Sequence, residues 1–263
     1  MKLSIIIPCY NEEETIKPLL KSLFEINFPI EREIIVIDDG SRNNQKNIIK
    51  EEIASNKIKF IRLPKNQGKG VAIRIGLRHA TGDIFVIQDA DFEYYPSDIP
   101  KLLDPILKRE THVVYGTRFS KRPEFMSPSH YKANKLLTGI TNFIYKTEIT
   151  DMETGYKLFT REILDKITLT TREFEFEPEI TAKIVLNGYK IKEIPIKYHY
   201  RKFGAAKINW LDGIEGLLVL IKLRYFPNSK LYQFVYRIYK FHVKKIVLRL
   251  TYFIGKVIYL RRI

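Results

Sequence analysis

A chain of 263 residues, 45% of them hydrophobic and 29% charged, is long enough to bury one large core and too mixed in composition to stay disordered. Its single cysteine, Cys9, excludes an internal disulfide and any zinc site built on cysteines, and it suits a reducing compartment. The net charge of +15, from 45 basic and 30 acidic residues, is unevenly spread: no acidic residue follows Glu215, while nine basic residues lie beyond Asn228.

The chain begins Met1-Lys2-Leu3-Ser4 and runs straight into an apolar segment with no leader-like stretch, from which a cytoplasmic protein is expected. Short, nearly continuous β-branched runs at residues 3–7, 34–37, 58–63 and 84–87 predict strands buried on both faces. Between them, residues 13–26, 43–55 and 69–80 have helical spacing, and a further helix is expected from near Ser97. Strand and helix therefore alternate, which predicts an α/β fold around a mainly parallel sheet. Cys9, at the end of the first run, reads as a small packing residue.

Ligands of such sheets bind beyond the carboxyl ends of the strands, and the polar motifs stand there. Pro8-Cys9-Tyr10-Asn11-Glu12 follows the first strand, Asp38-Asp39-Gly40-Ser41 the second, Asn66-Gln67-Gly68-Lys69-Gly70 the third and Gln88-Asp89-Ala90-Asp91-Phe92-Glu93 the fourth. The second motif also suits a plain turn and helix cap. The third offers backbone N–H groups and a lysine to a pyrophosphate, without the spacing of a P-loop or of a dinucleotide fold. In an extended segment Asp89, Asp91 and Glu93 would share one face, where like charges repel unless a cation neutralises them. Hard oxygen ligands of this kind suit Mg²⁺ or Mn²⁺.

With these motifs in this order, residues 1–227 resemble the family 2 glycosyltransferases of GT-A fold, and within them the dolichyl-phosphate mannose or glucose synthases and their bacterial polyprenyl-phosphate relatives. The resemblance implies a mixed, mainly parallel sheet flanked by helices. It implies that Pro8, Tyr10, Glu12, Asp38, Asp39, Lys69 and Asp89 hold a nucleotide sugar, GDP-mannose or UDP-glucose, and that Asp89, Asp91 and Glu93 hold the metal. Many mannose synthases of the family have an amide where this chain has Glu93, a departure bearing on metal or donor preference. Tyr115-Gly116-Thr117-Arg118 is similar to the family's arginine motif, residues 151–159 to its acceptor-flanking segment and Phe176-Glu177-Pro178-Glu179 to the start of its closing section. By the same resemblance Arg118, Lys132, Arg201 and Lys207 surround the phosphate of a dolichyl or polyprenyl phosphate, and Asp89, Asp91, Arg118 and Arg201 carry the catalysis. Guanidinium forks suit phosphate for geometric reasons.

A phosphate acceptor is already anionic and needs no general base, so an inverting displacement is expected. A sugar hydroxyl would need one, and Glu153, Asp151 and Glu177 are the candidates; their alternative work is to orient the arginines or pair with Lys157. The tail, residues 228–263, forms a separate electrostatic unit. At helical spacing, residues 239–259 put Val243, Ile246, Val247, Leu250, Phe253, Ile254 and Val257 on one arc and lysines and Arg249 on the other, the pattern of an interfacial helix. Residues 208–226 form a second amphipathic candidate. Peripheral attachment to the cytoplasmic face of a membrane is expected from this. Apolar residues between the charges argue against nucleic acid as a partner.

Overall fold

The computed structural model describes residues 1–43, 45–120, 126–199 and 210–239. In chain order, β1 (Lys2–Cys9), α1 (Ile16–Glu25), β2 (Glu31–Asp38), two short helices α2 (Gln45–Ile48) and α3 (Lys50–Ala54), β3 (Lys59–Arg62), α4 (Lys69–His79) and β4 (Ile84–Ile87) reproduce the alternation expected from sequence. A 3₁₀ turn (Pro96–Asp98) then leads into α5 (Ile99–Leu107), followed by β5 (Val113–Thr117), α6 (Pro128–Tyr145), β6 (Lys157–Thr160), α7 (Arg161–Lys166), α8 (Phe176–Leu186), β7 (Lys192–Pro195), α9 (Trp210–Tyr225) and α10 (Lys230–Ile238).

The seven strands form one sheet in the order β3-β2-β1-β4-β6-β5-β7. β6 is antiparallel to both its neighbours, and every other pairing is parallel. This is the mixed, mainly parallel sheet that the resemblance implied. The continuous apolar runs are explained by burial on both faces: Leu3, Ile5 and Ile7 pack with α1 and α5, while Ile6 joins Ile35, Ile37 and the apolar side of α4 in the other layer. Cys9 is buried in the first layer, as expected for a packing residue.

Register sets the site. Cys9 lies opposite Asp38, and Asp39 N–H donates to the Cys9 carbonyl at 2.8 Å. Gln88 N–H donates to Ile6 O at 2.9 Å, so the exits of β1, β2 and β4 open on one rim. The helix expected over residues 43–55 is divided into α2 and α3, with Ile49 between them at a non-helical φ of −115°.

The described chain divides into a unit of residues Met1–Leu220 and a second that begins at Ile221. Within the second, Ser229 caps α10 by accepting from Tyr232 N–H at 3.1 Å, and the Phe226 and Tyr232 rings stack at 5.6 Å. Leu231, Phe234, Val235 and Ile238 of α10 are exposed along one stripe. Among the described residues no helix is long and apolar enough to cross a membrane. The interfacial helix expected over residues 239–259 falls, apart from Tyr239, outside the described residues.

Candidate active site

The second and third exits are joined through Asp39. Its Oδ1 accepts from Gln67 N–H at 2.8 Å, and its Oδ2 accepts from Gly68 N–H at 2.8 Å and Asn66 Nδ2 at 3.0 Å. Burial, reinforced by the Asp38 charge, raises its carboxyl above the usual range against the pull of those N–H groups. Asp39 therefore organises the loop that starts α4, which the sequence did not reveal. Asp38 is fully buried, its Oδ1 accepts from Ser41 N–H at 2.9 Å, and Arg62 Nε lies 3.5 Å from its other oxygen. Asn11, at a positive φ of 52°, ties the first exit to the second: its N–H donates to Ser41 Oγ and its Oδ1 accepts from Arg42 N–H, each at 2.9 Å. Pro8 and Tyr10 are half-buried on the same rim. Glu12 is buried and turned towards the start of α1, where its Oε2 accepts from Thr15 Oγ1 at 3.1 Å.

The start of α4 differs from the open anion site that Gly68-Lys69-Gly70 suggested. Gly68 sits at φ +104°, and a Cβ there would come 2.3 Å from the carbonyl oxygen of Arg172. Val71 N–H donates to that same carbonyl at 3.2 Å. The glycines serve the close approach of residues 171–172, and the polar service of the motif falls to the Lys69 side chain.

Beyond β4 the chain is not extended. It turns at Ala90 and Asp91, and Phe92 takes a positive φ of 62°, so the premise that alternate residues share a face does not hold. Asp91 Oδ1 accepts from Glu93 N–H at 3.1 Å, closing the turn on itself. Glu93 is drawn towards the end of the chain after β7: its Oε2 accepts from Tyr198 OH at 3.1 Å and its carbonyl from His199 N–H at 2.8 Å. Asp89, Asp91 and Glu93 are therefore not gathered as one preformed cluster. Among the described residues, only Glu173, Asp212 and Glu215 bring three ligand atoms within 4.8 Å of one another. Asp89 and Asp91 still fit a divalent cation by chemistry and position: both are half-buried hard-oxygen donors on the rim. Gly155 keeps room for one of them, since a Cβ there would meet Asp89 Oδ2 at 2.4 Å.

Asp89 belongs to a chain of alternating charges. Lys69 Nζ is 2.8 Å from Asp89 Oδ1 and 3.1 Å from Glu177 Oε1, and Glu177 Oε2 is 2.5 Å from Lys157 Nζ. Lys157 is fully buried and also donates to the carbonyls of Met152, at 2.9 Å, and Thr154. Burial pulls Lys69 towards neutrality, but the Asp89 and Glu177 carboxylates outweigh it and hold the ammonium charged well beyond the ordinary lysine range. Four elements that are far apart in sequence are thereby joined at one point.

Of the acceptor-side candidates, Arg118 lies next to this chain. Arg118 forks onto Asp151, with Nε to Oδ2 at 2.8 Å and Nη2 to Oδ1 at 2.7 Å, and its own N–H also donates to Oδ2 at 3.0 Å. Glu193 holds the other side of this loop by accepting from Thr150 and Asp151 N–H groups at 2.7 and 3.0 Å. Asp151 and Glu177 thus take the pairing work considered for them. Among the described residues Glu153 has no hydrogen bond of this kind. Burial, with Glu177 close by, pushes its carboxyl up to about 7, against the opposing pull of Lys157 and Arg118. Lys132 is exposed on α6. Arg201 and Lys207 fall outside the described residues.

A raised carboxyl leaves a signature in stability. Glu153 is protonated in the folded state up to about pH 7 but ionises in the unfolded chain near pH 4.5, so stability is lost as pH climbs through that window. Glu153→Gln is expected to melt with the parent at acid pH and progressively above it as pH rises to about 7, with a constant margin beyond. Melting temperatures read across pH check this; a margin that does not change with pH would remove the assignment.

The sequence profile of glycosyl transferase family 2 matches residues 4–168. A UDP-N-acetylglucosamine–dolichyl-phosphate N-acetylglucosaminyltransferase of Methanococcus voltae is 32% identical over 84% of this chain and 95% of its own length. A dolichol-phosphate mannosyltransferase of Pyrococcus furiosus is 28% identical over 85% of this chain, which spans only 64% of that longer relative. A dodecaprenyl-phosphate galacturonate synthase of Rhizobium johnstonii is 25% identical over 88% of this chain and 68% of its own. Among solved structures, glucosyl-3-phosphoglycerate synthase of Mycobacterium tuberculosis, crystallised with Mn²⁺, UDP and phosphoglyceric acid, superposes with a TM-score of 0.70 at 17% identity, covering 87% of this chain and 80% of that one. The profile match, the Methanococcus relative and the shared sheet agree: the chain belongs to the family 2 glycosyltransferases, and it is a glycosyltransferase.

Proposed function

We propose that the enzyme transfers a hexose, with inversion, from GDP-mannose or UDP-glucose to dolichyl or polyprenyl phosphate. The observation that carries this reading is that three relatives whose names specify different sugars, mannose, N-acetylglucosamine and galacturonate, all name a polyprenyl-type lipid phosphate. In this reading residues 1–227 are the catalytic domain and the basic residues 228–263 attach it, without spanning, to the cytoplasmic face of a membrane.

An acceptor phosphate oxygen attacks the anomeric carbon, the bond to the nucleoside diphosphate breaks, and both electrons of that bond leave with the diphosphate. Pro8, Tyr10, Glu12 and Asp38 line the donor side, and Asp39 sets the loop that carries Lys69. Lys69, permanently charged between Asp89 and Glu177, stabilises the charge growing on the leaving diphosphate. Asp89 and Asp91, with Glu93 swung in, would hold Mg²⁺ or Mn²⁺, which when bound supplies Lewis-acid stabilisation to the diphosphate oxygens. Arg118, fixed in place by Asp151, offers its remaining N–H groups to the acceptor phosphate together with Lys132, Arg201 and Lys207. No proton has to be removed.

A second reading, transfer to a sugar hydroxyl, has one observation in its favour: Glu153 combines a pKa of about 7 with a carboxylate that no ion pair ties up among the described residues, as a general base requires. The two readings separate cleanly. Purified protein with Mg²⁺ or Mn²⁺ is incubated with a panel of nucleotide sugars and either a short polyprenyl phosphate or sugar acceptors, and the products are identified by mass spectrometry. The lipid-phosphate reading expects a sugar phosphate lipid and a Glu153→Gln variant that keeps most activity. Glycosylation of sugar acceptors alone, with a loss of roughly 10²–10⁴-fold in Glu153→Gln, would replace it.

A further inference from the structure

Each carboxylate in the exit of β4 is held by a different group. Lys69 Nζ lies 2.8 Å from Asp89 Oδ1, the Glu93 N–H donates to Asp91 Oδ1 at 3.1 Å, and the Tyr198 hydroxyl donates to Glu93 Oε2 at 3.1 Å. The first hold is a charge and the second is backbone, whereas the third is a neutral side chain brought from beyond β7, 105 residues away in sequence.

The chain after β7 is laced to the chain after β4 over several residues. Lys197 N–H donates to Asp98 Oδ2 at 2.7 Å, Tyr198 pairs with Tyr94 as an antiparallel bridge, His199 N–H donates to the Glu93 carbonyl at 2.8 Å, and the His199 Nδ1 lies 3.1 Å from Tyr95 OH. The Tyr198 ring is fixed as well, edge-on to Tyr94 at 5.9 Å between centres and 5.6 Å from the Arg118 guanidinium carbon. Its hydroxyl therefore stands at one place. Burial, with the Glu93 charge beside it, holds the phenol protonated well above the ordinary tyrosine range, so it remains a donor. Glu93 is pinned through its backbone on both sides, its N–H on Asp91 and its carbonyl on His199. What can turn is its side chain.

We propose that Tyr198 is a positioning residue that holds the Glu93 carboxylate back from a divalent cation shared by Asp89 and Asp91, and so sets how tightly that cation binds. The inference rests on the metal reading of these three carboxylates and deepens it. A cation recruits Glu93 by rotating its side chain out of the bond to Tyr198, and the loss of that bond is subtracted from the affinity. Because the phenol carries no charge, removing its hydroxyl changes the hold on Glu93 and leaves the net charge of the site as it was. Lys69 differs in this respect, since its removal changes both.

The test uses the full chain and Mn²⁺ alone, with bound ion read from the loss of the free ion's electron paramagnetic resonance signal. Tyr198→Phe keeps the ring against Tyr94 and Arg118, and it is expected to lower the dissociation constant roughly three- to tenfold. Glu93→Ala is expected to raise that constant, and in its background Tyr198→Phe is expected to add no change. Parental or weaker binding by Tyr198→Phe overturns the proposal; weaker binding would make the hydroxyl a guide of Glu93 towards the ion. Equal tightening with and without Glu93 overturns it too. A second arm leaves the hydroxyl in place: 3-fluorotyrosine at position 198 is expected to shift its fluorine NMR signal when Mg²⁺ is added and to lose most of that shift in Glu93→Ala. A signal that stays put with Glu93 present, or shifts equally without it, overturns the proposal. If no chain binds either ion, the metal reading itself falls; if the parent binds and Tyr198→Phe binds equally, only the role of Tyr198 falls.

Discussion

Lys157→Met is expected to lose about 3–5 kcal/mol of folding stability, a fall in melting temperature of roughly 10 °C for a domain of this size. Lys157 stands at the start of β6 with no solvent exposure, 2.5 Å from Glu177 and bonded to the Met152 and Thr154 carbonyls, with the Tyr115 ring centre 4.7 Å away. Methionine fills much of the same volume, so the loss is electrostatic: among the described residues the buried Glu177 carboxylate keeps only its bond to Lys69, and two inward-facing carbonyls lose their donor. Glu153 is then deprived of one of the two positive charges that restrain its pKa. Adding Glu177→Gln to Lys157→Met removes the stranded charge and is expected to restore part of the loss. Thermal and urea unfolding of the single and double variants measure both effects. A single variant that melts with the parent would mean that the pair contributes nothing net, and a double variant less stable than the single would mean that carbonyl satisfaction, not charge, sets the scale.

The difference between what was readable and what was not follows from the range of the interactions. The first four strands are short β-branched runs buried on both faces, a signal carried within each segment, and they stand where the pattern put them. Three more strands, β5, β6 and β7, escaped it; β6 opens on Lys157, and β7 reads Lys192-Glu193-Ile194-Pro195, so charged residues interrupt the apolar run in these two. Lys157 is buried because Glu177, twenty residues later and on a helix, meets it, and no local pattern reports that. Lys69 and Glu177 are 108 residues apart. The candidate residues were found at the rim because strand exits in a parallel sheet are ligand positions whatever the details. Orientation of an arginine and pairing with Lys157 were expected alternatives for Asp151 and Glu177, and both are seen; the backbone φ of +62° at Phe92 and the loop-binding work of Asp39 were not legible, because they are properties of the folded chain.

Lys69→Met tests the other lysine of Glu177, and the opposite balance of effects is expected. Lys69 lies at the rim, with 17% of its side chain exposed, and when it is removed Glu177 still has Lys157 at 2.5 Å, so the fold keeps its buried pair and the loss of stability should be well below that of Lys157→Met. Activity carries the penalty. A positive charge preorganised against a leaving diphosphate is worth roughly 10²–10³ in turnover, and methionine offers none. Because Lys69 sits 2.8 Å from Asp89, on the proposed metal site it would compete with a divalent cation for that carboxylate, and Lys69→Met is expected to bind Mn²⁺ more tightly than the parent while turning over more slowly. Titration calorimetry with Mn²⁺ alone and single-turnover assays with donor and lipid phosphate read the two quantities separately. Tighter metal with slower transfer is the outcome of a lysine that serves the diphosphate and shares its carboxylate with the ion. Parental turnover would reduce Lys69 to a strut between α4 and α8, and weaker Mn²⁺ binding would move the metal away from Asp89.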